Sequence, residues 1–180
     1  LASRPIRSLI SEVSAIFDRA KQAATAPFRI QIVGAGAGGI ELAFGVEAQL
    51  RREATGAYEV ALVTSDSSIL QGASPALRRR VERALEKRGI RTHLESPVSA
   101  VCASSIEIAG GTPLASDAVL WVTGPAAHPL AARSGLACDS HGFARVRPTL
   151  QSVDHDNLFA VGDCASLPGL KKAAGDPAGG

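Results

Sequence analysis

Apolar residues at Ile6, Leu9, Ile10, Val13, Ile16, Phe17 and Ala20 recur at intervals of three and four, which predicts an amphipathic helix from Pro5 to about Ala24. Pro5 suits a first helical turn, and Ala24-Thr25-Ala26-Pro27 ends the helix because proline discourages continuation. It reads as a surface or connecting helix. Phe28 to Val33 then forms a short β-prone run that leads directly into glycines, followed by a helical pattern from about Ile40 to Arg52. Glu59 to Thr64 is the next strand, and an intervening helix makes it parallel to the first. A helix over Pro75 to Arg88, a stop at Gly89 and a strand over Ile90 to Leu94 continue the alternation. This is the pattern of an α/β domain with a doubly wound parallel sheet.

Past Pro97 the period changes. Short β-prone pieces at Val98 to Cys102 and Ile106 to Ile108 turn at Gly110-Gly111 and lead to Ala118 to Val122, which predicts a β-meander inserted before a final sheet strand. Beyond Thr123-Gly124-Pro125 come several turns and one last hydrophobic strand, Leu158 to Val161. The segment 167–180 is rich in Pro, Gly and Ala without periodicity, and a flexible tail is expected there.

Composition narrows the function classes. A chain of 180 residues that is 46% hydrophobic can bury one full core, and its apolar runs are too short for a bilayer span, so a soluble protein is expected. The expected location is the cytoplasm, or the inner face of a membrane reached peripherally by a longer parent protein. A formal net charge of +2 argues against a nucleic-acid surface. Arg78-Arg79-Arg80 sits in the helix whose apolar positions are Leu77, Val81, Ala84 and Leu85, with Glu82 and Glu86 interspersed, and reads as a solvated face. Cys102, Cys138 and Cys164 form no C-x-x-C pair and are expected to be buried, reduced thiols. Asp154-His155-Asp156 looks ligand-like but lies in a polar stretch where such residues make turns, so no metal is assigned. The sequence contains no methionine, and an internal fragment of a longer chain is expected.

The chemistry resides in Gly34-Ala35-Gly36-Ala37-Gly38-Gly39, a G-x-G-x-x-G turn placed between strand and helix. Gly34 permits a tight turn, Gly36 lets backbone approach a pyrophosphate, and Gly39 lets helix and strand pack closely. The helix beginning with Ile40 and Glu41 would aim its positive end and unpaired N–H groups at the phosphates. A flexible strand-to-helix loop is the plain alternative. An acidic residue ordinarily ends the second strand and accepts the adenosine ribose hydroxyls. Here Thr64 occupies that slot and Asp66 follows two residues later. NADH is favoured, since no arginine immediately follows the strand; NADPH stays open if Arg78 to Arg80 fold back toward a 2′-phosphate.

With these motifs in hand, the chain resembles the pyridine nucleotide-disulfide oxidoreductase superfamily. Within it, the chain is similar to the FAD-containing type II NADH dehydrogenase-like proteins often found fused to selenide, water dikinase. The resemblance is carried by Ile32 to Ala43, by Ala118-Val-Leu-Trp-Val-Thr-Gly124 and by Thr149 to Asp163, in that order. It implies a Rossmann-like FAD/NAD(P)-binding fold: a connecting helix over 1–27, an NAD(P)H-binding domain over 28–125, and the start of the second half of an FAD domain over 126–166. The flanks would be pieces of a second such domain. It further implies that Thr123-Gly124 lies beside the nucleotide, that Glu41 lies near nicotinamide and flavin, and that Gly162-Asp163 bonds the FAD ribityl chain. Plain readings stand beside two of these: Glu41 as a first-turn helix acid, and Gly162-Asp163 as an ordinary turn.

The resemblance thus implies NAD(H) and, in the full-length protein, FAD, with hydride passing from one to the other and electrons going to an acceptor such as a quinone. No earlier glycine motif and no redox disulfide precede Gly34, so the remainder of the FAD domain is an expected partner and the fragment alone is expected to be inactive. A homodimer is open to it. A non-catalytic NAD(H)-sensing module is the rival from another class. A self-contained reductase is disfavoured, because no Tyr-x-x-x-Lys pair or catalytic histidine constellation is visible.

Overall fold

The computed structural model describes residues 6–23, 26–54, 56–124 and 127–169. Two compact units divide the chain, one ending at Thr123 and one beginning at Gly124. Most of the predicted flexible tail, from residue 170 onward, lies outside the described residues.

The first unit is built on four parallel strands: β1 (Phe28–Val33), β2 (Tyr58–Val63), β3 (Arg91–His93) and β7 (Ala118–Trp121), in the order β3-β2-β1-β7. Helix α2 (Ala37–Glu53) crosses from β1 to β2, and α3 (Pro75–Lys87) from β2 to β3. Right-handed crossovers in the same direction put both helices on one face. Side chains of a strand alternate between faces, so Ile30, Ile32, Val60, Leu62 and Leu120 all join one core with Ile40, Ala43, Val46 and Leu50 of α2. Each large apolar side chain buried there contributes about 1.5–3 kcal/mol. The sheet is the predicted Rossmann-like one. Its return from β3 to β7 runs through a separate antiparallel meander, β4 (Val98–Val101), β5 (Ser105–Ile108) and β6 (Leu114–Ala115). Gln31, on the opposite side of β1 from Ile30 and Ile32, donates Nε2–H to the Ala115 carbonyl at 2.9 Å, tying the meander to the sheet.

Three expectations change, two in this unit and one, for the cysteines, across both. Helix α1 (Ile6–Gln22) is more than a connector: Ile16 and Ala20 are buried in the core, because its apolar stripe packs against α2. Arg19 anchors it by donating to the Asp117 carbonyl at 2.6 Å, and Lys21 pairs with Glu53 at 2.9 Å. Helix α2 starts at Ala37, three residues before the expected Ile40, since close packing outweighs the poor helix propensity of Gly38 and Gly39. The cysteines are free, but Cys102 and Cys164 are exposed and Cys138 is only partly covered. Cys102 follows β4 and Cys164 lies in a short 3-10 turn, positions that tertiary contacts leave open. Helix α3 reaches the core through Leu85 and, partly, Val81, while Leu77 is left 48% exposed.

A buried carboxylate locks α2 to the α3–β3 turn. Glu47 is 3% exposed, meets Arg88 at 3.2 Å and Arg51 at 3.6 Å, and Arg88 also lies 5.1 Å over the Phe44 ring. A charge so far from water is tolerated only with such partners.

The second unit relies on local hydrogen bonding around a small cluster, Ala144, Val146, Ala160 and Ala165. Its regular elements are α4 (Leu130–Arg133) and the parallel pair β8 (Ala144–Arg145) and β9 (Ala165–Ser166). Asp139 organises one turn by accepting the N–H groups of His141 and Phe143, each at 2.9 Å. The strand expected over Leu158 to Val161 does not form. Only a single antiparallel bridge, Gln151 to Phe159, is present, and Phe159 and Val161 are about 60% exposed. A β-prone run becomes a strand only when a neighbouring ladder is available to take its backbone groups.

Two outcomes are expected. Arg88→Ala leaves Glu47 with Arg51 alone and should lower unfolding free energy by about 2 kcal/mol, with Glu47→Gln milder at about 1 kcal/mol, as read by urea unfolding. Burial pushes the Asp139 carboxyl up, but hydrogen bonds from Ser166, Phe143 and His141 outweigh it and hold the group below its ordinary value of 3.8. A depressed folded value means stabilisation that is complete above the unfolded pKa and lost as pH falls through the folded one. Asp139→Asn should therefore destabilise at neutral pH, with the gap to wild type closing in melts taken from about pH 5 to pH 2.

Candidate functional site

The C-terminal ends of β1, β2 and β7 meet at one edge of the sheet, and the glycine turn bridges them to α2. Gly34 donates its N–H to the Val63 carbonyl at 2.8 Å and adopts φ +117°, in the region that favours glycine. A Cβ on Gly34 would lie 2.5 Å from the Val122 carbonyl oxygen, so the end of β7 passes too close for any side chain. Ala35 is 3% exposed, and its carbonyl accepts the Leu70 N–H at 2.9 Å. A Cβ on Gly39 would fall 1.9 Å from the Gly34 carbonyl oxygen, so α2 rests directly on the turn.

Gly36 differs from both. It caps α2 in an extended conformation, φ −74° and ψ −177°, without a side-chain hydrogen bond to the helix. A Cβ there would meet nothing within 4 Å. Gly36, Ala37 and Gly38 are exposed, while Gly39 and Ile40 are buried. The result is an exposed stretch of backbone at the start of a 17-residue helix with no acid in its first turn. The first N–H groups of such a helix have no intrahelical acceptor, and the macrodipole makes their end positive. That combination suits an anion held by backbone alone. Glu41 is exposed and is the fifth residue of α2, in the second turn, which removes its reading as a first-turn acid.

Thr64 and Asp66 border the same edge. Thr64 is 7% exposed and its hydroxyl is engaged by Asp66: it accepts the Asp66 N–H and donates to Oδ2, both at 3.2 Å. On the β7 side, Val122 donates to the Val33 carbonyl at 2.8 Å, and Thr123 accepts the Trp121 indole N–H at 2.7 Å. Thus Gly34 to Glu41, Thr64, Asp66 and Thr123 come together. Gly124 opens the second unit, and Gly162 and Asp163 belong to it. There they form an exposed 3-10 turn with Gly162 at φ +72°, instead of ending the expected strand.

Some contributors leave no signal in the sequence. Ile69 is 2% exposed in the core and Leu70 takes φ +49°, so that the loop after β2 is pinned onto the glycine turn. His93 ends β3 and its carbonyl accepts the Thr64 N–H at 2.9 Å; burial and then the charge of Arg91 hold its imidazole below the usual value, which favours the neutral form. Elsewhere, Asp154 accepts the Ala137 N–H at 2.8 Å and Asp156 pairs with Arg147 at 2.8 Å, so the two acids flanking His155 are held by different partners. Among the described residues no group of three His, Cys, Asp or Glu side chains is gathered as a metal would require, and no helix is long and apolar enough to cross a membrane.

The family model described as pyridine nucleotide-disulphide oxidoreductase matches residues 8–178. The type II NADH:quinone oxidoreductase NdhA of Mycobacterium tuberculosis is 29% identical over 160 residues, covering 79% of this chain and 34% of that protein. Ferroptosis suppressor protein 1 of Taeniopygia guttata is 30% identical over 157 residues, covering 81% of this chain and 41% of that protein. The chain therefore spans well under half the length of these two curated relatives. Among solved structures, reduced CoADR-RHD of Bacillus anthracis superposes with a TM-score of 0.65 at 23% identity, covering 86% of this chain and 26% of that one, a likeness of fold.

The two glycines separate packing from access. Gly39→Ala should cost about 3 kcal/mol or more through overlap with Gly34. Gly36→Ala should stay within about 1 kcal/mol of wild type in the same thermal and urea melts.

Proposed function

Because the chain belongs to the pyridine nucleotide-disulphide oxidoreductase family, we propose that it is the NADH-binding portion of an FAD-dependent oxidoreductase. The observation that carries this reading is the contrast within one turn: Gly34 and Gly39 are closed by protein backbone, while Gly36 is open to solvent. A fold needing glycine only for packing would have no use for the third. In this reading the N–H groups at Gly36 to Gly39 hold the pyrophosphate of NADH, and Thr123 borders the nucleotide from β7. Glu41, exposed on α2, faces the nicotinamide end.

Flavin, when bound by the whole protein, would supply the hydride-accepting chemistry and pass electrons to an acceptor, of which a quinone is favoured by the names of NdhA and related oxidoreductases. The described residues fit the nucleotide half of this task. In the second unit, the exposed Asp163 carboxylate is the group that would accept a ribityl hydroxyl bond, with Gly162 giving the turn its left-handed step.

Isothermal titration tests the reading. The folded 180-residue chain should bind NADH saturably, and Gly36→Val should weaken binding at least about tenfold, equivalent to 1.4 kcal/mol, while the melting temperature stays within a few degrees of wild type. A folded wild-type sample that gives no saturable NADH signal overturns it.

A further inference from the structure

Helix α3 rests on the sheet by a narrow strip and leaves the rest of its surface to solvent. Leu85 is buried, Arg78, Val81 and Ala84 are partly covered, and Arg79, Arg80, Glu82, Arg83, Glu86 and Lys87 are exposed. In a helix that only has to face water, exposed charges gain by standing opposite in sign at a spacing of four residues. Here that spacing joins like to like: Arg79 with Arg83, Arg83 with Lys87, and Glu82 with Glu86. Arg79 and Glu82, and Arg83 and Glu86, stand three apart with opposite signs, yet among the described residues no ion pair involves any of the four. Arg83 donates Nε–H instead to the Arg79 carbonyl at 3.3 Å.

The like-signed spacing sorts these four residues into two neighbouring rows, Arg79 with Arg83 and Glu82 with Glu86, which together line one shallow surface groove. The order of signs has a definite symmetry. Turning the helix end for end about a point between Glu82 and Arg83 exchanges Arg79 with Glu86 and Glu82 with Arg83, so every charge falls on its opposite. A parallel pairing in the same register would set like on like. A surface complementary to itself in this way meets the condition for a closed, two-fold contact between identical chains.

We propose that this face of α3 docks a second copy of the chain, the two α3 helices packing antiparallel across a two-fold axis between Glu82 and Arg83. Arg79 then meets Glu86 of the partner subunit, and Glu82 meets Arg83 of the partner subunit, each pair occurring twice. A flat anionic surface fits less well, because Glu82 and Glu86 lie beside the arginines and are repelled by it. Exposed ion pairs are individually weak and are screened by salt, so the dimer is reversible and belongs to low ionic strength.

The test is sedimentation equilibrium of the 180-residue chain. At low salt a dimer with a dissociation constant of about 0.1 mM or tighter should form. That constant should rise at least about tenfold between about 0.01 M and about 1 M salt. Arg83→Glu and Glu82→Arg, each of which sets like charges across the axis, should each weaken self-association at least about tenfold. Mixing these two variants should restore a dimer of one of each, since each supplies the sign the other needs. Arg80→Glu, the same change of charge outside the groove, should stay within about twofold of wild type. Melting curves confirm that each variant is folded. A chain that is monomeric at low salt, a dimer indifferent to Arg83→Glu, or a mixture that does not associate overturns the inference. So does a monomer that binds phosphatidylserine vesicles through the same arginines, which assigns the face to an anionic membrane.

Discussion

The first unit depends on one steric constraint, the contact of backbone with backbone where β1 gives way to α2. Gly34 lies under the end of β7 and Gly39 lies on the carbonyl of Gly34, at separations that leave no room for a Cβ at either position. This contact sets the depth at which α2 sits on the sheet, and so brings Ile40, Ala43 and Val46 within reach of Ile30, Ile32 and Leu62. It also fixes where the helix begins. With Gly39 drawn inward, the first helical residues Ala37 and Gly38 face solvent, and the backbone at Gly36 is left uncovered.

The remainder of that unit holds this edge rigid. The Glu47–Arg88 pair ties α2 to the turn before β3, α1 braces α2 from the side, and the meander is hung from β1 by Gln31. The loop after β2 is fastened twice, at Leu70 to the glycine turn and at Asp66 to the segment after β3. A site assembled from strand ends and one helix start needs little else, because each of its parts belongs to an element whose position the core already determines.

The second unit is organised differently. It has a cluster of four buried small or branched residues and two two-residue strands, and its turns are set by side-chain caps such as Asp139 and Asp154. Local capping suffices to specify turns but not to recruit an extended run into a sheet, which is why Leu158 to Val161 stays irregular with Phe159 and Val161 exposed.

The sequence by itself determined the order and type of the elements in the first unit, since periods of 3.6 and 2 in the apolar residues follow from helix and strand geometry alone. It also marked Gly34, Gly36 and Gly39 by spacing. Their different situations were decided only by tertiary structure: whether a glycine is closed or open depends on Val122 and on the turn's own carbonyl, partners up to 88 positions away in sequence. The same holds for α1, whose stripe could not announce that it packs into the core, and for the cysteines, whose apolar character does not say which loops leave them exposed. Thr64 and Asp66 were legible as an ambiguous pair. Their coupling became definite only once β3 and the segment beyond it closed over the end of β2, because a hydroxyl chooses its partner from whatever the fold brings within about 3 Å.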